Sequence, residues 1–122
     1  GKEEHLRAKA ITLGLKLDGV NFINPATSVL RQAFAQRFFE LRKHKGITMD
    51  NALDAMNDVS YFATMMVYEN MADGMVSGAA HTTAHTIRPA FQFIGTAPDV
   101  LLVSSVFLMC MDTRVLVYGD CA

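Results

Sequence analysis

The segment from Ala72 to Pro89, ADGMVSGAAHTTAHTIRP, combines small residues, hydroxyls, histidines and one arginine directly after a helical apolar pattern. Gly74 and Gly78 permit positive φ angles and the close approach of another molecule. Three hydroxyl side chains can cap a helix or donate hydrogen bonds: Ser77, Thr82 and Thr83. Because the start of a helix attracts anions, this pattern indicates a segment that faces a ligand.

Two arginines have the chemistry to hold a phosphate. Arg42 lies at the end of a helical pattern just before Gly46, where a cation can complement the helix dipole or bind a ligand. Arg88 lies between Ile87 and Pro89, where its charge needs either solvent, a surface ion pair or a bound anion. A planar guanidinium binds phosphate in bidentate fashion, so we favour the ligand interpretation for both arginines.

His81 and His85 are four residues apart, which on a helix would place both imidazoles on one face. That spacing suggests a pair of metal ligands, but no Glu or further His follows at helical spacing. We therefore predict hydrogen-bonded histidines beside a cleft and no metal site. Asp73 and Asp120 follow or end predicted strands, where a carboxylate can face a site or bond its own backbone.

The run from Asp73 to Pro89 matches the pattern D-G-x-V-S-G-x-x-H-T-T-A-x-T-x-R-P, and with it the chain resembles the phosphate acetyltransferase family. Further segments resemble that family in the same order: Glu40 to Thr48, Tyr61 to Val67, Leu102 to Met109 and Val117 to Ala122. Together these segments span most of the chain after about Asn21, so the resemblance is specific. His85 departs from the pattern, which has Asp or Asn at this position.

The resemblance implies reversible transfer of an acetyl group between coenzyme A and inorganic phosphate, with coenzyme A as a substrate and no separate cofactor. It implies that Arg42 and Arg88 contact coenzyme A in one crevice. Four residues are expected to line the cleft: Ser77, His81, Thr82 and Thr83. The family's thiol base and phosphate anchor belong to a motif beyond Ala122, so we expect no catalytic residue in this chain and no turnover by it alone.

Apolar periodicity predicts an α/β fold with helices covering a largely parallel sheet. The first expected helices are Glu3 to Leu15 and one that Thr27 or Ser28 can cap, which stops at Gly46 and has the apolar stripe Leu30, Phe34, Phe38 and Leu41. A short helix that Thr48 or Asp50 can begin follows, then Val59 to Met71 with Asp58 as its cap, and one through Ile87 and Ile94. The expected strands are Val20 to Asn24, Met75 to Val76, Leu101 to Met109 and Arg114 to Tyr118. The last two are joined by a short turn.

The family resemblance places these elements in a two-domain architecture similar to isocitrate and isopropylmalate dehydrogenases, with the cleft between domains. Residues 1–95 would then be part of the first domain and residues 96–122 the start of the second. The chain starts with Gly1 and stops where the family continues, so we expect it to be a fragment truncated at both ends.

Composition excludes several kinds of partner. A net charge of −1 with mixed signs argues against nucleic acid. The longest apolar run, Val100 to Met111, is well short of the ~20 residues that a membrane-spanning helix needs, and we expect no signal peptide before Glu3. Cys110 and Cys121 show no metal or redox spacing, which fits reduced thiols in the cytoplasm. We expect small-molecule partners, acetyl-CoA and phosphate, and a homo-oligomer for the full-length protein.

Two other functions remain open. Domains similar to phosphate acetyltransferase also occur fused to malic enzymes, which suggests a non-catalytic module that senses coenzyme A; those relatives diverge across the segment from His81 to Pro89, which this chain keeps except at position 85. An interaction domain that pairs through exposed strands such as Leu101 to Met109 is the other alternative. The preference among acyl groups does not follow from the sequence, since one methylene changes binding by only ~1 to 3 kcal/mol.

Overall fold

A computed structural model of the chain describes residues 1–119. The predictions for Asp120 and Cys121 lie outside the described residues. Five α-helices and two strands follow one another in the order α1 Glu3–Thr12, α2 Arg31–Arg42, α3 Met49–Ala55, α4 Val59–Tyr68, α5 Thr83–Phe93, β1 Val106–Cys110 and β2 Val115–Gly119. Two single turns of 3-10 helix lie at Pro25–Thr27 and Lys43–Lys45. The described residues are therefore α/β, with most of the regular structure in helices.

Side-chain caps fix where three of the helices begin. The Thr48 hydroxyl accepts a hydrogen bond from the Asn51 amide at the start of α3. The Asp58 carboxylate accepts hydrogen bonds from the Ser60 and Tyr61 amides at the start of α4. The Thr82 hydroxyl accepts one from the His85 amide at the start of α5. Gly46 adopts a φ of 83° after α2, a conformation that glycine takes without a Cβ penalty. The caps predicted at Thr48, Asp58 and Thr82 and the stop predicted at Gly46 are confirmed. The cap predicted at Thr27 or Ser28 is wrong, because α2 begins at Arg31 after Leu30, with no side-chain cap.

The core lies where α2 packs against α3, α4 and α5. Helix α2 contributes Phe34, Ala35 and Phe38 because these positions share the apolar face that the sequence predicts. The remaining buried members of this core are Ala52, Met56, Phe62, Met65 and Phe93. Aromatic rings pack edge to face within it, with 4.7 Å between the ring centres of Phe38 and Phe93. This packing holds α4 and α5 against one face of α2.

Two of the predicted strands are absent from the described residues. The segment from Val20 to Asn24 is irregular, and Met75 to Val76 is irregular as well, with Val76 fully exposed. Apolar runs this short form strands only when a neighbouring strand satisfies their backbone groups. Within residues 1–119 the sheet has only two strands, β1 and β2. The expected strand Leu101 to Met109 also begins later than predicted, at Val106.

The sheet differs from the expected largely parallel arrangement, because β1 and β2 form an antiparallel hairpin. Val106 pairs with Gly119 at one end and Cys110 with Val115 at the other. Residues 111–114 join the strands, and the Met111 amide donates a hydrogen bond to the Arg114 carbonyl at 2.9 Å. A parallel pair would need a crossover of about a dozen residues. The short predicted turn therefore already required antiparallel strands.

The hairpin leaves both of its faces open. All five residues of β1 are exposed, and so are four of the five in β2. The apolar run from Val100 to Met111 thus lies partly in β1 and partly in the irregular segment before it. None of the helices within residues 1–119 has the length and apolar composition that crossing a lipid bilayer requires.

Candidate functional site

The positive charges of Arg42 and Arg88 both influence one hydroxyl group, that of Tyr61. Arg42 is the half-buried last residue of α2, and Arg88 is exposed on α5. Tyr61 lies on α4, which packs against α5, and both guanidinium charges act on its hydroxyl. The structure therefore brings together the two arginines that the sequence singles out, although they are distant in the chain. Tyr61 begins one of the segments that resemble the family, Tyr61 to Val67, but sequence reasoning gave its hydroxyl no role in the site.

The surroundings of the Tyr61 hydroxyl combine burial with charges of both signs. Burial raises the pKa of Tyr61 above its ordinary value, and this is the largest effect. The positive charge of Arg88 lowers that pKa, whereas the carboxylate of Asp58 raises it. A hydrogen bond with Gln92 and the charge of Arg42 lower it further. The net result is a hydroxyl that stays protonated and can donate a hydrogen bond at neutral pH.

Because its pKa is raised in the folded protein, Tyr61 contributes stability that is complete below the unfolded tyrosine value of about 10. That contribution is lost as the pH rises through the folded pKa. We therefore expect Tyr61→Phe to make the free energy of unfolding decrease less steeply between neutral pH and pH ~11. Urea unfolding at a series of pH values measures this slope. Equal steepness in the two proteins would contradict the prediction.

The predicted cleft residues are distributed around the start of α5. The Thr82 hydroxyl caps this helix by accepting a hydrogen bond from the His85 amide at 3.2 Å. Ser77 is exposed in the irregular segment between α4 and α5. Thr83 is exposed and lines an apolar groove of about 380 Å³ between α5 and residues 103–105. Thr82 can cap α5 and also lie beside a ligand, since a capped helix start still attracts anions.

His81 and His85 lie close to each other and to Asp58. Their rings stack with 4.8 Å between centres and 14° between planes. His85 Nε2 is 2.9 Å from Asp58 Oδ2, and this contact joins the starts of α4 and α5. The predicted hydrogen bond is present for His85, whereas the contact given for His81 is the stacking of its ring. Asp58 is a third possible ligand group beside the two histidines. The sequence spacing did not indicate it, because Asp58 lies 27 residues before His85, at the start of another helix.

The described residues form an α/β chain in which the charges of two arginines act on one tyrosine hydroxyl. The sequence model of the phosphate acetyl/butaryl transferase family matches residues 1–122. Since this match covers the whole chain, the chain belongs to that family.

Named relatives and solved structures agree with this assignment. The chain is 59% identical over 110 residues to a phosphate acetyltransferase of Nitratidesulfovibrio vulgaris, and this alignment covers 90% of the chain and 16% of that relative. It is 50% identical over its full length to the phosphate acetyltransferase of Corynebacterium glutamicum, covering 37% of it. The EutD phosphotransacetylase from Staphylococcus aureus superposes with a TM-score of 0.83 at 44% identity, over 100% of this chain and 37% of that structure. The chain thus spans well under half the length of these relatives.

Proposed function

We propose that this chain is the coenzyme A-binding part of a phosphate acetyltransferase, which transfers an acetyl group reversibly between coenzyme A and inorganic phosphate. The observation that carries the proposal is the family match along the whole chain, in which the charges of Arg42 and Arg88 both act on the Tyr61 hydroxyl. Acetyl-CoA and phosphate are then the substrates, and no separate cofactor takes part. The named relatives are phosphate acetyltransferases, which supports this reaction over others.

The charged and hydrogen-bonding side chains of this chain would each bind a different part of coenzyme A. The two guanidinium groups would hold phosphates of coenzyme A, because a planar fork of donors matches phosphate oxygens. Helix geometry leaves the Thr83 and Ala84 amides without an intrahelical acceptor, so they can bind an anionic or carbonyl oxygen. Ser77, His81 and Thr82 would line the same side of the cleft. The Tyr61 hydroxyl would orient the bound molecule between the arginines.

In the proposed reaction, a phosphate oxygen attacks the acetyl carbonyl carbon and the carbon–sulfur bond breaks. The departing coenzyme A thiolate then takes up a proton. We propose direct attack with no covalent enzyme intermediate, because the only ionisable neighbour of Cys121 in the sequence is Asp120, and a carboxylate does not lower the pKa of a thiol as a nearby cation would. The base that serves the thiol and the group that anchors phosphate would come from parts of the longer protein that this chain does not include.

The finer architecture is also part of the proposal. Residues 1–95 would belong to one α/β domain and residues 96–122 to the start of a second. The hairpin would extend there into a larger and mainly parallel sheet, in the two-domain arrangement of isocitrate and isopropylmalate dehydrogenases. The apolar groove beside Thr83 lies between α5 and residues 103–105, on both sides of this boundary. We further propose a homo-oligomeric full-length protein in the cytoplasm.

The direct test compares the longer protein that carries this chain with the 122-residue chain alone. Acetyl phosphate and coenzyme A are supplied, and formation of the thioester is followed by its ultraviolet absorbance. We expect turnover by the longer protein, and at most weak coenzyme A binding without turnover by the chain. Turnover by the chain alone would contradict the division of roles. Coenzyme A binding without acetyl transfer by the longer protein would favour a sensing module instead.

A further inference from the structure

Two histidines and a carboxylate meet where α4 and α5 begin. Asp58 caps α4, His81 immediately precedes the cap residue of α5, and His85 lies in the first turn of α5. One possible ligand atom from each residue lies within 4.8 Å of the other two. All three side chains are partly buried, so they are neither sealed in the core nor spread over open surface. The cluster does not include Arg42 or Arg88, and of its three members only His81 has a role in the binding proposed above.

We infer that Asp58, His81 and His85 bind one divalent transition-metal ion, with zinc as the best match, and that the ion links the starts of α4 and α5. Two imidazoles and a carboxylate form a ligand set that suits zinc, and three protein ligands leave a fourth position for water or another oxygen. Calcium and magnesium prefer oxygen ligands and fit this set poorly. The inference goes beyond the proposed acetyl transfer and does not depend on it, and it replaces the expectation from the sequence that these two histidines bind no metal.

The distances are close to those of a metal site. Zinc bonds of about 2.0 to 2.1 Å place the ligand atoms of a tetrahedral site roughly 3.3 Å apart. His85 Nε2 and Asp58 Oδ2 are 2.9 Å apart, so this pair needs little adjustment. The rings of His81 and His85 are within 14° of parallel, and His81 lies before the regular part of α5. The three ligand atoms lie within 4.8 Å of one another, so binding requires His81 to move closer by up to about 1.5 Å.

The carboxylate of Asp58 is held in place by the backbone. Its Oδ1 accepts hydrogen bonds from the Ser60 amide at 2.9 Å and the Tyr61 amide at 3.2 Å. Oδ2 remains directed at His85, where a metal ion would take the place of the present hydrogen bond. Outer hydrogen bonds of this kind orient a metal ligand and strengthen the site.

Nearby positive charge limits the affinity. The positive ends of the α4 and α5 dipoles point toward the cluster, and one carboxylate offsets only part of the charge of a divalent ion. The ion therefore binds less tightly here than in a closed structural site with four protein ligands.

Zinc titration of the tag-free chain by isothermal calorimetry tests the inference. We expect one zinc ion per chain, and the absorption bands of a cobalt(II)–imidazole complex when cobalt(II) replaces zinc. His81→Gln and His85→Asn should each weaken zinc binding at least ~10-fold, because each removes one of three ligands. His44→Asn is the matched control, since His44 is an exposed histidine on the turn Lys43–Lys45, and it should bind zinc like the parent.

A second variant separates metal binding from folding. Asp58→Asn keeps an oxygen that can cap α4, because Asn is as good a cap residue as Asp, but it removes the charged ligand. Its circular dichroism should match that of the parent, whereas the rise in melting temperature on adding zinc should be lost. Absence of zinc binding by a folded parent chain would overturn the inference. Zinc binding that survives both histidine substitutions would overturn it as well.

Discussion

Arg88→Ala and Arg42→Ala, each made in the longer protein that carries this chain, are expected to raise the KM for coenzyme A by roughly 10- to 100-fold. A hydrogen bond to a charged group contributes about 1.5 to 3 kcal/mol, and each 1.4 kcal/mol corresponds to about a factor of ten. The two guanidinium groups act on one hydroxyl, so we expect them to act on one bound molecule. Steady-state kinetics with varied coenzyme A and saturating acetyl phosphate measures the effect.

Arg37→Ala is the control for general loss of positive charge. Arg37 lies on α2 as Arg42 does, but its Nε donates to a Glu69 carboxylate oxygen at 3.1 Å on the exposed surface. Its removal should change the KM for coenzyme A by less than about twofold, since exposed ion pairs contribute ~0 to 1 kcal/mol. An unchanged KM in both Arg42→Ala and Arg88→Ala would refute the proposed coenzyme A contacts.

Phe38→Ala is expected to lower the free energy of unfolding by about 3 to 5 kcal/mol. Phe38 is only 2% exposed, and its ring lies 4.7 Å from that of Phe93 on α5 and 5.8 Å from that of Tyr61 on α4. Truncation would leave a cavity between the three helices that carry the candidate site. Urea unfolding of the parent and the variant, followed by circular dichroism, measures the difference.

The matched control for this substitution is Phe107→Ala. Phe107 lies on β1 and is 55% exposed, so its removal should change the free energy of unfolding by no more than about 0.5 kcal/mol. The two variants remove the same side chain from a buried and an exposed position. Similar losses of stability in both would show that the core does not lie where α2 meets α4 and α5.

The helices were predictable because their signals are local. Thr48, Asp58 and Thr82 each accept a hydrogen bond from an amide two or three residues ahead, so a cap needs only its own neighbours. The apolar face of α2 likewise repeats within one segment and identifies Phe34 and Phe38 as core residues. Such features can be recognised in a sequence without knowing what packs against them.

The strands and the candidate site depend on distant residues, and there the sequence was less informative. Val20 to Asn24 has a strand-like composition but no partner strand within residues 1–119, so its composition alone was misleading. Tyr61 and Asp58 acquire their place in the site only when α4 packs against α5. The spacing of His81 and His85 indicated two neighbouring imidazoles but gave no sign of the carboxylate that joins them.

The uncovered hairpin has a consequence for how the chain opens. A two-stranded hairpin is marginally stable in water, and β1 and β2 gain little from burial on either face. Local opening there costs less free energy than opening the helices around Phe38. Once the ladder from Val106 to Gly119 opens, its backbone becomes available to proteases and to strands of other polypeptides. The end of the chain near β1 and β2, and not the helical core, therefore determines how long the isolated polypeptide survives intact and unaggregated.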